Sequence, residues 1–280
     1  MDTHSIILYI CTGIVIIGLL VNIRLFLNER ESPTPWERHI KWMCERPWSW
    51  RDAILLVFFL IGLYMILICL QSVASIFHIM SDKKTAWPYW IVAGSITFHW
   101  ASFAFISRLV YRKPLSWKAA LGIDLYTLKE DIKKGVIFYL AMMPFFVFYS
   151  FLYRTWLHEI GISPVPQEIT ELIPQLQSSP LLFGYIVCVA VFIAPIAEEI
   201  VFRGIVLPLM IKKWGAIPGM IIVSLCFAAI HHNLGTLVPL FILAVAFSLA
   251  YLYTQSIVTP IIMHMIFNAM SLLIILNING

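Results

Sequence analysis

Residues 191–209 read VFIAPIAEEIVFRGIVLPL, an apolar segment that contains the adjacent acids Glu198 and Glu199 and then Arg203. Charged side chains are costly in a hydrocarbon environment, so charges within an apolar segment indicate function by default. The alternative is that the two glutamates mark the solvated end of a membrane span. Apolar residues continue beyond Arg203 as far as Leu209, which favours an intramembrane position for the pair.

The rest of the chain has the composition of a membrane protein. Of its 280 residues, 61% are hydrophobic and only 12% are charged, and the mean hydropathy is +0.88. Soluble domains have about 25% charged residues. The composition therefore excludes a disordered chain, a nucleic-acid-binding protein and an ordinary soluble enzyme.

Several apolar segments approach the length that crosses a bilayer, which is about 20 residues as a helix. They predict an all-α fold, a polytopic membrane helical bundle of about eight transmembrane helices. We expect the first to be a retained helix, because it lacks the features of a cleaved signal peptide. The segments are 5–23, 53–79, 87–109, 135–153, 181–201, 216–232, 235–253 and 258–277.

The distribution of Lys and Arg predicts the orientation of these helices. The segments 24–52, 108–134 and 202–215 contain six, seven and three basic residues, 16 in total, whereas the alternate loops contain 3. Because cytoplasmic loops accumulate Lys and Arg, the basic loops are expected to be cytoplasmic and both termini non-cytoplasmic.

The chain is expected to have two parts. Residues 1–134 are predicted to form about three N-terminal membrane helices with a basic, Trp-rich cytoplasmic loop, and residues 135–280 a membrane core that contains the two adjacent glutamates. The loop suits an interfacial segment on anionic headgroups or, alternatively, a partner-binding site. Its tryptophans are Trp36, Trp42, Trp48 and Trp50.

Polar residues recur at helical spacing in the second part. Glu199 and Arg203 are four residues apart, so they can pair on one helix face and leave Glu198 to face a cavity. The same spacing separates Phe227 from His231, and it separates His264 from Asn268. Glu198 and His231 lie at similar distances from the predicted turn near Gly215, which places them at similar depth in antiparallel helices.

This set of side chains has the groups that peptide hydrolysis requires, namely a base, oxyanion donors and a dry cavity. Glu198 can act as the base and share a water with His231, while His264 and Asn268 can hold the oxyanion. Two histidines and a glutamate also form a familiar catalytic zinc site, so Glu198, His231 and His264 are alternative zinc ligands. Spacing alone leaves both possibilities open.

The three motifs, in this order on successive membrane helices, resemble the CAAX protease and bacteriocin-processing family (CPBP, or Abi), which includes the Ras-converting-type prenyl endopeptidases. The resemblance covers about residues 135–275. It implies that Glu198 and His231 activate water and that His264 and Asn268 stabilise the oxyanion. Glu199, Arg203 and Phe227 would support the site. A metal-free glutamate mechanism is favoured over zinc, because Asn268 suits an oxyanion donor better than a zinc ligand.

The resemblance implies an intramembrane endopeptidase that acts on a membrane-associated peptide or protein. No feature indicates a prenylated substrate, so we expect a peptide or membrane protein of a bacterial cell membrane. The alternative is a non-catalytic membrane scaffold, regulator or bacteriocin-immunity protein on the same fold, with a membrane or cell-envelope partner. Intact catalytic positions favour the enzyme.

Overall fold

A computed structural model of the protein describes residues 3–31, 36–76, 83–112, 116–162 and 179–278, and the regular structure in these ranges is helical. This confirms the predicted all-α, polytopic helical bundle. The helices are α1 (Thr3–Glu31), α2 (Trp36–Cys44), α3 (Trp50–Ile76), α4 (Lys83–Arg112), α5 (Trp117–Leu121), α6 (Leu128–Glu159), α7 (Pro180–Trp214), α8 (Ala216–Ala229), α9 (Leu234–Thr254) and α10 (Val258–Ile278).

Six helices of the described ranges are long and apolar enough to cross a membrane, namely α1, α3, α6, α7, α9 and α10. The two other predicted spans also coincide with helices. Helix α4 has 30 residues, but its sequence includes several polar side chains, and α8 is apolar but has only 14 residues. A helix of 14 residues rises about 21 Å, which is less than the hydrocarbon thickness of about 30 Å. About eight spans were expected, and six helices of the described ranges meet the criteria of length and hydropathy.

Helix α7 is longer than the predicted segment 181–201, and two π-helical segments interrupt its α-helical hydrogen bonding. The first is Val189–Ile193, which ends just before Pro195, and the second is Ile200–Val206, which ends just before Pro208. Proline has no backbone N–H, so each proline disturbs the hydrogen bonds of the turn before it. Single-turn π segments are often found at functional sites. The residues between them, Ala194–Glu199, include both glutamates.

The second half of the chain forms the centre of the bundle. Helix α10 packs against α6, α7 and α9, and α8 packs against α9 and the last part of α7. At the periphery, α1 packs against α6, and α3 packs against α4. Helices α7 to α10 thus enclose the space where the polar residues of the second half meet.

The Trp-rich loop packs onto the protein. Helix α2 contacts α7 and α9, and Met43 is fully buried. The Arg46 guanidinium lies 3.7 Å from the ring centroid of Trp42 and donates to the Ala119 carbonyl at 3.0 Å. Burial lowers the pKa of Arg46, and these contacts offset the cost of burying its charge. At least part of this loop is therefore anchored to the second half of the chain.

Candidate active site

A buried ion pair lies at the centre of the site. The Arg203 Nη1 donates to Glu199 Oε1 at 2.9 Å, and both side chains are 0% exposed. The Nη2 of Arg203 donates to the carbonyl of Ala244 on α9 at 3.1 Å. The guanidinium also lies 4.5 Å from the ring centroid of Phe227 and 5.2 Å from that of Phe247. Arg203 therefore links α7 to α8 and α9 through one planar group.

His264 joins both glutamates from α10. Its Nδ1 lies 2.9 Å from Glu199 Oε1, and its Nε2 lies 3.9 Å from Glu198 Oε2. Because the partner of Nδ1 is a carboxylate, Nδ1 carries a proton and donates it. The imidazole also packs against Phe247, with the ring centroids 5.0 Å apart. The Glu199 carboxylate thus fixes the orientation of the His264 ring and directs Nε2 towards Glu198.

The two adjacent glutamates have different surroundings. The side chain of Glu199 is 0% exposed, whereas that of Glu198 is 31% exposed. Glu199 is neutralised by Arg203. Within the described residues, the ion-pair partner close to Glu198 is Nε2 of His264. Of the two carboxylates, Glu198 is therefore the one that a molecule from outside can reach.

His231 lies just beyond the end of α8 and contacts Phe227, which also contacts His264. Its Nδ1 is 2.8 Å from the Phe227 carbonyl, so Nδ1 donates and Nε2 is left as an acceptor in the neutral ring. The fully buried phenyl ring of Phe227 lies 4.9 Å from the His231 ring and 5.9 Å from the His264 ring, between centroids. His232 follows in the turn after α8, with a φ of 49°, and is exposed.

Asn268 faces the first π segment of α7. Its Nδ2 donates to the Ala190 carbonyl at 2.8 Å. In this π segment, the backbone N–H of Ala194 donates to the carbonyl of Val189, five residues earlier. The residue five positions after Ala190 is Pro195, which has no N–H to donate to the Ala190 carbonyl. Asn268 therefore supplies a donor that the backbone lacks, and one N–H of its amide remains for another acceptor.

The alternative zinc ligands predicted from the sequence are Glu198, His231 and His264. Among the described residues, no three His, Cys, Asp or Glu side chains form a group that could hold a metal ion. In the described arrangement, Glu198, His231 and His264 thus do not come together as a set of three metal ligands.

Three groups of the site were not predicted from the sequence. Phe247 packs on His264 and Arg203, but an aromatic residue in an apolar helix gives no signal that separates it from the core. The carbonyls of Ala190 and Ala244 accept hydrogen bonds from Asn268 and Arg203. Backbone acceptors carry no residue-type signal, although Pro195 marks the turn in which the Ala190 carbonyl loses its donor.

The described fold defines a multi-pass membrane protein with a buried carboxylate–imidazole cluster. The model of one family, type II CAAX prenyl endopeptidase Rce1-like, matches residues 180–270. The match covers about a third of the chain and includes all the site residues, and it confirms the family resemblance. The comparisons with curated proteins and with solved structures gave no match. Because this is a protease family, the match supports a CAAX-type intramembrane protease at family level.

Proposed function

We propose that this protein is an intramembrane endopeptidase that hydrolyses a peptide bond of a membrane-associated peptide or protein. The observation that carries the proposal is the position of Glu198. Its carboxylate is partly exposed inside an apolar bundle, and its Oε2 lies 3.9 Å from a histidine nitrogen that a second glutamate orients. One water can bridge polar atoms at such a distance, and general-base catalysis works directly or through one water.

In this proposal, Glu198 and His231 activate the attacking water. The Glu198 carboxylate accepts a proton from the water, whose oxygen adds to the substrate carbonyl carbon. The Nε2 of His231 can accept a second hydrogen bond from the same water, because its Nδ1 already donates to the Phe227 carbonyl. The protonated Glu198 then gives its proton to the leaving nitrogen as the C–N bond breaks, which releases an amine and a carboxylic acid.

His264 and Asn268 would stabilise the negative charge that develops on the substrate oxygen. The second amide N–H of Asn268 is available beside its bond to Ala190. His264 can donate from Nε2 when both ring nitrogens carry protons, and the buried Glu199 carboxylate at Nδ1 holds the ring in position. Donors that are already oriented stabilise an oxyanion without reorganising during the reaction.

We further propose that the reaction needs no metal and that the basic loops face the cytoplasm, with both termini on the other side. The substrate would be a peptide or protein tail anchored at the membrane of a bacterial cell. A peptide pheromone and a bacteriocin precursor fit this description, and a prenylated C-terminus is the alternative substrate outside bacteria.

The test is cleavage by purified protein in lipid vesicles, followed by mass spectrometry of the products. The substrates are two peptides of one sequence, one with a prenylated C-terminal cysteine and one anchored by an apolar helix. We expect Glu198→Gln and His231→Ala to lower the cleavage rate by a factor of about 10² or more, as the loss of a general base does. The matched controls, Glu159→Gln and His232→Ala, should cleave at the wild-type rate.

Two results would contradict the proposal. If Glu198→Gln and His231→Ala cleave as fast as the wild type, the site is not catalytic, and the scaffold or immunity function becomes the better explanation. If a chelator abolishes cleavage and Zn²⁺ restores it, the metal-free mechanism is wrong.

A further inference from the structure

A narrow apolar groove lies on the outside of the bundle, between α3 and the last part of α7. Its volume is about 220 Å³. Helix α3 contributes Trp50, Ile54, Val57 and Phe58, which recur at the spacing of one helix face, and α7 contributes Val206 and Met210. Ile54, Val57 and Phe58 are 46–70% exposed, so the groove is open to its surroundings. In a membrane, an apolar groove of this kind is filled by a hydrocarbon chain.

Positive charge is concentrated at one end of this groove. The Lys213 Nζ lies 5.3 Å from the ring centroid of Trp50 and 4.5 Å from that of Trp214, and these two indoles pack edge to face. Arg51 follows Trp50 and is exposed. Helix α3 begins and α7 ends here, so the cationic side chains of both helices are at the same end. Tryptophan and cationic side chains are typical of the headgroup level of a bilayer.

The Asp52 carboxylate, which is close to Arg51 in the sequence, does not face an anion bound at this end of the groove. The side chain of Asp52 turns inward, where its Oδ2 accepts hydrogen bonds from the backbone N–H of Ser49 at 2.9 Å and from its hydroxyl at 2.7 Å. Asp52 is only 8% exposed. Asp52 therefore presents little negative charge to the groove, whereas Arg51 and Lys213 are exposed.

We propose that this groove binds one anionic phospholipid, with an acyl chain between α3 and α7 and the phosphate against Lys213 and Arg51. The distribution of Lys and Arg predicts that this end faces the cytoplasm, where anionic lipids attract basic residues. Charge complementarity distinguishes this ligand from bulk lipid, because any lipid tail can enter the groove but only an anionic headgroup gains from the two cations. The site is separate from the cluster around Glu198.

The test is native mass spectrometry of the full-length protein, released from detergent and titrated with phosphatidylglycerol or with phosphatidylcholine of the same acyl chains. We expect the wild type to bind one phosphatidylglycerol at least five times more tightly than phosphatidylcholine. Lys213→Gln should remove most of this preference. The matched control is Lys129→Gln, which removes an exposed lysine from another basic segment and should leave the preference unchanged.

A second pair of variants tests the groove itself. Ile54→Trp fills the groove and should weaken phosphatidylglycerol binding several-fold, whereas Leu55→Trp adds the same side chain at an exposed neighbouring position outside the groove and should not. The proposal is overturned if both lipids bind equally to the wild type, if Lys213→Gln binds like Lys129→Gln, or if Ile54→Trp binds like Leu55→Trp. None of these results depends on peptide cleavage.

Discussion

The Glu199–Arg203 pair provides a sharp test of how the site is stabilised. Replacing Arg203 with methionine keeps much of its volume but removes the cationic partner of a carboxylate that is 0% exposed, and Glu199 keeps only its hydrogen bond from His264. Breaking a buried ion pair by removing one member costs about 3–5 kcal/mol, because the other charge is left buried and uncompensated. The variant also loses the hydrogen bond to the Ala244 carbonyl and the contact with the Phe227 ring. We therefore expect Arg203→Met to lose about 3–5 kcal/mol of unfolding free energy.

The assay is reversible unfolding in mixed micelles, with helicity as the readout, for a double-mutant cycle. Glu199→Gln combined with Arg203→Met removes both charges, so the double variant should be more stable than the sum of the single changes predicts, by about 2 kcal/mol or more. Arg203→Lys keeps the charge but lacks the fork that reaches both Glu199 and Ala244, so its loss should be intermediate. The reasoning is refuted if Arg203→Met costs less than about 1 kcal/mol, the value of an exposed pair, or if the two changes are additive.

Three further predictions use the same unfolding assay. Gly122→Ala should be more destabilising than Gly161→Ala. Both glycines have a positive φ, but only at Gly122 would an added Cβ clash, 1.9 Å from the Gln255 carbonyl oxygen. Equal losses of stability would mean that the structure relieves this clash. Arg46→Gln should cost about 1–3 kcal/mol of unfolding free energy, since the Ala119 carbonyl loses a charged donor. Replacing the exposed Lys41 with glutamine should change stability little. Wild-type stability of Arg46→Gln would show that the Arg46 contact does not anchor the segment that follows α2. Asn268→Asp should cost about 1–3 kcal/mol, because a carboxylate cannot donate to the Ala190 carbonyl; wild-type stability would show that this bond is unimportant.

Much of the fold follows from patterns that the sequence displays. The apolar segments predicted helices, and each predicted segment overlaps a helix in the described residues, although positions 77–79 of the segment 53–79 lie outside them. The four-residue spacings predicted that Glu199 faces Arg203 and that Phe227 lies beside His231, as the distances of 2.9 Å and 4.9 Å show. These contacts are local, so helical periodicity is sufficient to predict them.

Helical periodicity did not predict the contacts between residues that are far apart in the sequence. The pairing of His264 with Glu199 depends on how α10 packs against α7, and no spacing within either helix determines it. The π segments lie just before prolines in the sequence. Whether a helix keeps its turns there depends on other donors, such as Asn268, that bond to the carbonyls left without a backbone N–H. The short length of α8 was not predicted either, because hydropathy along the chain did not show that this helix ends after 14 residues.

The central claim is that a water molecule attacks the substrate with Glu198 as its base, and isotope labelling directly tests whether water or Glu198 itself is the nucleophile. A single turnover in H₂¹⁸O, with enzyme in excess over a cleavable membrane-anchored peptide, is followed by mass spectrometry of the product and of the enzyme peptide that contains Glu198. If Glu198 activates water, one ¹⁸O enters the new C-terminal carboxylate and none enters Glu198. An unlabelled product together with ¹⁸O in Glu198 would show that the carboxylate attacks the substrate directly, which contradicts the proposed mechanism.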